Sequence, residues 1–238
     1  MVDSFEVYLA PLDPAVLGDI FHSTSRPCIA TDPRARFLTA HGYSGTPRIS
    51  DESRAKGLKR AVAQGALAID FELDMFRTGT SATIRPRGER GLQRGRLEMS
   101  MEPEVVAMQS ELATAIRGVG AEVVMSCSTQ SVLRKTDAVK IVREVRKRGG
   151  QFARIDSLTP RRQDIFKTLG CVFSLSRDSR IPFTVMNIGV GSGSDRLISL
   201  LAGSSWVYCQ PSNEQSYAGL PTVDDAVSFI DSLGLRNP

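Results

Sequence analysis

The sequence predicts an α/β protein built on a parallel sheet, and three observations carry that prediction. Short apolar runs rich in β-branched residues recur along the 238 residues, amphipathic helical patterns fill the intervals, and each interval is long enough for a crossover. With 41% hydrophobic residues the chain can bury the core of one large domain or two small ones, and with only 6% aromatics that core is aliphatic.

Strands are expected at residues 3–9, 27–31, 67–73, 121–126, 151–157, 183–188 and 206–210, because each is a short β-rich run bounded by turn or helix signals. Helices are expected near 51–65, 103–118, 131–148, 161–169, 194–202 and 223–233, where the apolar period lengthens to that of a helix. The stretch "KTDAVKIVREVRKRGGQFARIDSLT" offers two candidates for one strand, around Lys140 or around Arg154. Ala138, Ile141, Val142 and Val145 fall at i, i+3, i+4 and i+7, which is one face of a helix. Lys140 lies about 200° from Val142 around that helix, on the basic side with Arg143 and Lys147. Gly149-Gly150 supply the helix stop, and beyond them Phe152, Arg154 and Asp156 alternate with Ala153, Ile155 and Ser157. The strand is therefore the one that carries Arg154, and Lys140 is a solvated helix lysine.

Composition excludes several classes of function. The four cysteines (Cys28, Cys127, Cys171, Cys209) are far apart with no C-x-x-C, and there are only two histidines. That pattern predicts neither a zinc site nor a disulfide framework, and it suits a reducing compartment. No basic leader opens the chain, and no run approaches the roughly 18 apolar residues of a membrane span. A soluble protein of the cytoplasm or nucleus, with no metal and no cofactor, is the expectation. Net charge is +4, and much of the excess lies in residues 77–96, where six arginines face one glutamate, Glu89. Residues 77–102 read as an Arg-rich insertion, either a solvated surface or a face for phosphate or an acidic partner; no aromatics are interleaved, so direct nucleic-acid binding is not expected.

Six segments in order resemble type I 3-dehydroquinate dehydratase: "DSFEVYLA", "AIDFELD", "VVMSCST", "GQFARIDSLTP", "VMNIGVGSGSDRLISLLAGSS" and "SYAGLPTVDD". The resemblance implies a (β/α)8 TIM-barrel-like fold forming a single domain over 1–238, with the first βα unit of the family missing. Seven strands would then leave an open edge, to be closed by residues 95–101, by a neighbouring domain or by a second copy of the chain.

The resemblance also implies that the chemistry has been lost. The family's Schiff-base lysine aligns with Arg154, its proton-shuttling histidine with Ser128 and its lid glutamine with Leu220, while Tyr8 and Pro33 stand where it has arginines. Arginine stays protonated and forms no imine, and a serine hydroxyl has no useful pKa for proton transfer. Glu6, Glu72 and Arg196 match the family. No catalytic residue is therefore expected; the substrate-binding candidates are Glu6, Glu72, Arg154 and Arg196, at or near the strand ends where barrel sites are built. Arg154 and Arg196 could grip the carboxylate of a quinate- or dehydroquinate-like metabolite, or Arg154 and Glu72 could simply pair and plug the mouth. Degenerate domains of this kind resemble those of fungal quinate-pathway repressors, which implies a regulatory role; the alternative is an active dehydratase converting 3-dehydroquinate to 3-dehydroshikimate. Two further motifs are read as structural. The glycine run "GVGSG" is not followed by the lysine of a phosphate loop, and Cys127 has no partner histidine nearby.

Overall fold

The computed structural model describes residues 3–10, 12–33, 49–77, 97–189, 193–211 and 220–234. Its centre is one parallel sheet of six strands in sequence order: β1 (Phe5–Tyr8), β2 (Cys28–Thr31), β3 (Ala68–Glu72), β4 (Glu122–Ser128), β5 (Phe152–Thr159) and β6 (Phe183–Gly189). The described helices are α1 (Leu17–His22), α2 (Asp51–Ala63), α3 (Pro103–Gly118), α4 (Lys135–Lys147), α5 (Arg162–Asp178), α6 (Ser194–Leu201) and α7 (Val223–Ser232). Parallel neighbours in unbroken order make the sheet curl in one direction. The curl is tight enough for Arg154 on β5 to reach Glu6 on β1, three strands beyond its neighbour, at 2.9 Å. Among the described residues the result is a half-barrel with fewer than eight units.

Strand alternation divides the protein into two environments. On the outer face Ala30, Ile69, Phe71, Val123, Met125, Ala153, Ile155 and Val185 join the helices in one apolar core. On the inner face the register sets Ser126 beside Arg154 and Ser128 beside Asp156, and Glu6, Asp70 and Glu72 share that lumen. The helices form for the reasons read from the pattern. In α4 the buried residues include Ala138, Ile141, Val142 and Val145, and Lys140 is exposed. Gly149 ends that helix with φ 88°, and a Cβ on Gly150 would come within 2.6 Å of Val145 Cγ1, so the glycine pair is needed for both conformation and space. Among the described residues no helix is long and apolar enough to cross a membrane.

Two expectations need correction. Residues 206–210 do not form a seventh strand: Trp206 O accepts from Thr184 Oγ1 on β6 at 2.8 Å, and the segment has a single bridge, Gln210 to Thr222. Serine hydroxyls occupy β6 donors that a ladder would use: Phe183 N donates to Ser205 Oγ at 3.2 Å and Val185 N to Ser204 Oγ at 3.3 Å. Residues 97–101 do not close the gap between the first and last strands. Leu97 bridges antiparallel to Thr129, and Ser100 N donates to Leu73 O, so the segment crosses the ends of β3 and β4. The first crossover also holds a short helix, α1, preceded by a 3-10 turn at Pro14–Val16 that Asp13 caps through Ala15 N. Of the Arg-rich stretch, residues 78–96 lie outside the described residues.

Candidate functional site

The lumen is organised around Arg154. Its position on β5 points the side chain inward, and only 6% of that side chain is exposed. Nη1 donates to Glu6 Oε1 at 2.9 Å and to Asp70 Oδ2 at 2.7 Å, and Nη2 lies 3.5 Å from Asp156 Oδ2. The guanidinium carbon stands 5.5 Å from the centre of the Tyr208 ring, so the segment after β6 covers the cation with an aromatic face. Ser128 donates from Oγ to Asp156 Oδ2 at 3.4 Å.

This cluster holds three carboxyl groups for one guanidinium, and burial decides how it titrates. Burial pulls Arg154 down, but Asp70, Asp156 and Glu6 outweigh it and hold the cation far above its ordinary value. Burial pushes Glu6 up against the pull of Arg154. Burial likewise pushes Asp70 up to about 7, Arg154 opposing it and the Glu6 charge adding to it. Two acids near one another cannot both ionise cheaply in a dry interior. Near neutral pH the cluster is therefore poised to hold or release a proton at Asp70.

A second ion pair lies at the end of β3. Arg54 on α2 pairs with Glu72 through Nη2, donates to Asp51 Oδ1 at 2.8 Å, and caps the Asp32 carbonyl through Nε at 2.6 Å. Glu72 and Asp51 hold Arg54 protonated against the opposing effect of burial. Glu72 thus takes Arg54 as its partner, and the expected pairing of Glu72 with Arg154 gives way to two separate clusters. Arg196, at the start of α6, points both Nε and Nη2 at the Asn187 carbonyl, at 3.3 and 3.1 Å, and burial lowers its pKa. Leu220 lies half-buried just before Pro221 and α7. Cys127 is fully buried on the outer face of β4, where burial pushes its thiol well up.

Of the sequence candidates, the structure brings Glu6, Ser128 and Arg154 into one network and seats Glu72 in the adjoining one. Sequence reasoning missed Asp70, Tyr208 and Arg54. Asp70 had a signal, since it lies two residues before Glu72 and so shares its face; Arg54 had only Asp51 one turn away, and its other partners, Glu72 and the Asp32 carbonyl, come from distant segments. Among the described residues no group of three His, Cys, Asp or Glu side chains could hold a metal ion.

Residues 15–236 match the type I 3-dehydroquinase family. The chain belongs to that family. Solved structures with the same fold include type I 3-dehydroquinate dehydratase from Clostridium difficile, with TM-score 0.73 at 15% identity over 98% of this chain and 82% of that one. The 3-dehydroquinate dehydratase from Geobacillus kaustophilus gives 0.70 at 16% over 94% and 74%. The enzyme from Enterococcus faecalis gives 0.67 at 15% over 97% and 82%. At such identities these structures establish the fold of this family member and nothing of its chemistry. No curated protein matches the chain.

Proposed function

We propose that this dehydroquinase family member is non-catalytic and acts as a regulatory or metabolite-binding domain of the quinate and shikimate pathway, in the manner of a repressor. The observation that carries this reading is Arg154. At the position that resembles the family's imine-forming lysine, the inner face of β5 presents a guanidinium fixed by Glu6, Asp70 and Asp156. An imine needs a free amine as nucleophile, and this group is a cation at every accessible pH. Ser128, where the family histidine would move the proton, is spent on Asp156. Lys140, the other residue in the ambiguous stretch, is exposed on α4, outside the sheet. A cytoplasmic or nuclear location suits such a role.

The ligand of this reading is a small polyhydroxylated carboxylate of the quinate or dehydroquinate kind, held by Arg154 and Arg196, with Glu6 accepting from its hydroxyls. Adding an anion to a lumen that already holds Glu6, Asp70 and Asp156 favours protonation of Asp70, which sits at about 7 before the ligand arrives. Binding therefore takes up a proton, and affinity rises as pH falls, by up to about tenfold per unit above the Asp70 pKa. Thermal-shift titration with quinate, shikimate and 3-dehydroquinate at pH 6 and pH 8 reads this directly. A stabilising shift that is larger at pH 6 is expected. No shift at either pH, up to several millimolar, would leave Arg154 as a plug and remove the metabolite from the proposal.

A further inference from the structure

The helix-facing side of the sheet holds a cavity separate from the lumen. It has a volume of about 300 Å³ and lies between the ends of β1 and β2 and the side of α2 that carries Ser53, Lys56, Gly57 and Arg60. Alternation assigns it to the outer layer: Glu6 and Arg154 point inward, whereas Leu9 and Asp32 follow the outward positions of β1 and β2. Asp32 lines this cavity and is only 5% exposed. Among the described residues nothing donates a hydrogen bond to its carboxylate. Arg54, which interacts electrostatically with Asp32, spends Nε on the Asp32 backbone carbonyl and its other nitrogens on Asp51 and Glu72. Burial accordingly pushes Asp32 up to about 6, with Arg54 only partly opposing it. A buried carboxylate without a donor is costly, and the side of it that is open faces the cavity.

The walls narrow the choice of ligand. Leu9, Leu17 and Ile49 make one side apolar, while α2 contributes Lys56 and Arg60, one turn apart and both exposed at the rim. Gly57 lies between them, and a Cβ there would meet only Asp32 Oδ2 at 3.8 Å and Leu9 Cδ1 at 3.9 Å, so the missing side chain leaves room beside the carboxylate. A plain amine would satisfy Asp32 but stand unpaired beside two cations. A plain acid would satisfy the rim but leave Asp32 without a donor. A zwitterion with an apolar body meets all three demands, and the volume is at the lower end for a small-molecule site. We propose that this cavity binds a free amino acid with an apolar side chain, its ammonium group on Asp32 and its carboxylate toward Lys56 and Arg60.

Calorimetric titration of the full chain tests this with L-leucine, L-phenylalanine, 2-phenylethylamine and 3-phenylpropionate. At least one amino acid is expected to bind, and the amine and the acid each at least about tenfold more weakly, because each forfeits a charge-assisted contact. Asp32→Asn is expected to weaken amino-acid binding by at least about tenfold. Gly57→Leu, which extends a side chain into the cavity from a helical position, is expected to abolish it while urea unfolding still shows a folded protein. No binding of either amino acid at about 10 mM, equal binding by the amine, or undiminished binding in both variants would overturn the assignment. None of these outcomes depends on the lumen, where Arg154 lies on the opposite face of the sheet.

Discussion

Replacing Arg154 with methionine is expected to cost about 3–5 kcal/mol, because it leaves three buried carboxyl groups without their cation. That is a large part of the roughly 5–15 kcal/mol that holds a typical domain together. Glu6, Asp70 and Asp156 all lie within 3.5 Å of the guanidinium, and Asp70 and Asp156 are each 1% exposed. The loss is expected to depend on pH, since protonation relieves unpaired carboxylates. Urea unfolding at pH 8 should show the larger fall in midpoint, and at pH 5.5 a smaller one. The unmodified protein carries a milder form of the same dependence. Asp70 is raised from 3.8 to about 7 on folding, so its protonated form favours the folded state and that stability is lost as pH rises through 7. Asp70→Asn is expected to flatten the fall between pH 6 and pH 8. An Arg154→Met midpoint equal to that of the unmodified protein at pH 8 would mean that the cluster is not held by charge.

Arg148→Ala is expected to be comparably damaging, by about 3–5 kcal/mol, through a different part of the fold. Arg148 is 1% exposed at the end of α4. It donates to Glu144 Oε2 at 2.9 Å, Gln109 Oε1 at 2.6 Å, Ser100 O at 2.8 Å and Leu73 O at 3.2 Å. One side chain thus ties α4 to α3 and to both ends of the connection that contains the Arg-rich stretch. Its removal takes the donor from a buried glutamate, from Gln109 Oε1 and from the Ser100 carbonyl. Arg148→Lys keeps a charge for Glu144 but cannot fork to the remaining acceptors, so only part of the loss should return. Chemical denaturation of the two variants measures both effects, and a cost below about 1 kcal/mol for Arg148→Ala would show that these contacts contribute little.

The course of the strands was legible because period-2 alternation and a two-faced sheet are the same fact seen in sequence and in space. The choice of Arg154 over Lys140 was legible for a related reason, since helical phase put Lys140 on the basic side of α4. Arg148 was not legible. It ends the run Arg146-Lys147-Arg148, which reads as solvated charge, and only the fold brings Gln109 and Ser100 to it. Arg54 was hidden likewise, its partner Glu72 lying 18 residues away on another element. Glu6 and Glu72 were both placed at the mouth by their positions, but which arginine each would meet depended on the curl of the sheet. Residues 206–210 misled because their apolar pattern suits a strand, whereas strand pairing also needs free partners. The hydroxyls of Ser204 and Ser205 take β6 donors there.

The proposed non-catalytic role requires that no amine in the lumen form an imine with the family's substrate. The most direct measurement is incubation of the purified chain with 3-dehydroquinate and borohydride, followed by intact-mass analysis, with dehydration product assayed in parallel. An unchanged mass and no product are expected. The same reasoning applies to Arg154→Lys: a lysine amine surrounded by Glu6, Asp70 and Asp156 is held protonated, and Ser128 supplies no proton shuttle, so trapped adduct without turnover is the most that this variant should show. Turnover by the unmodified chain, or an adduct on it that disappears in Lys140→Ala, would overturn the non-catalytic reading.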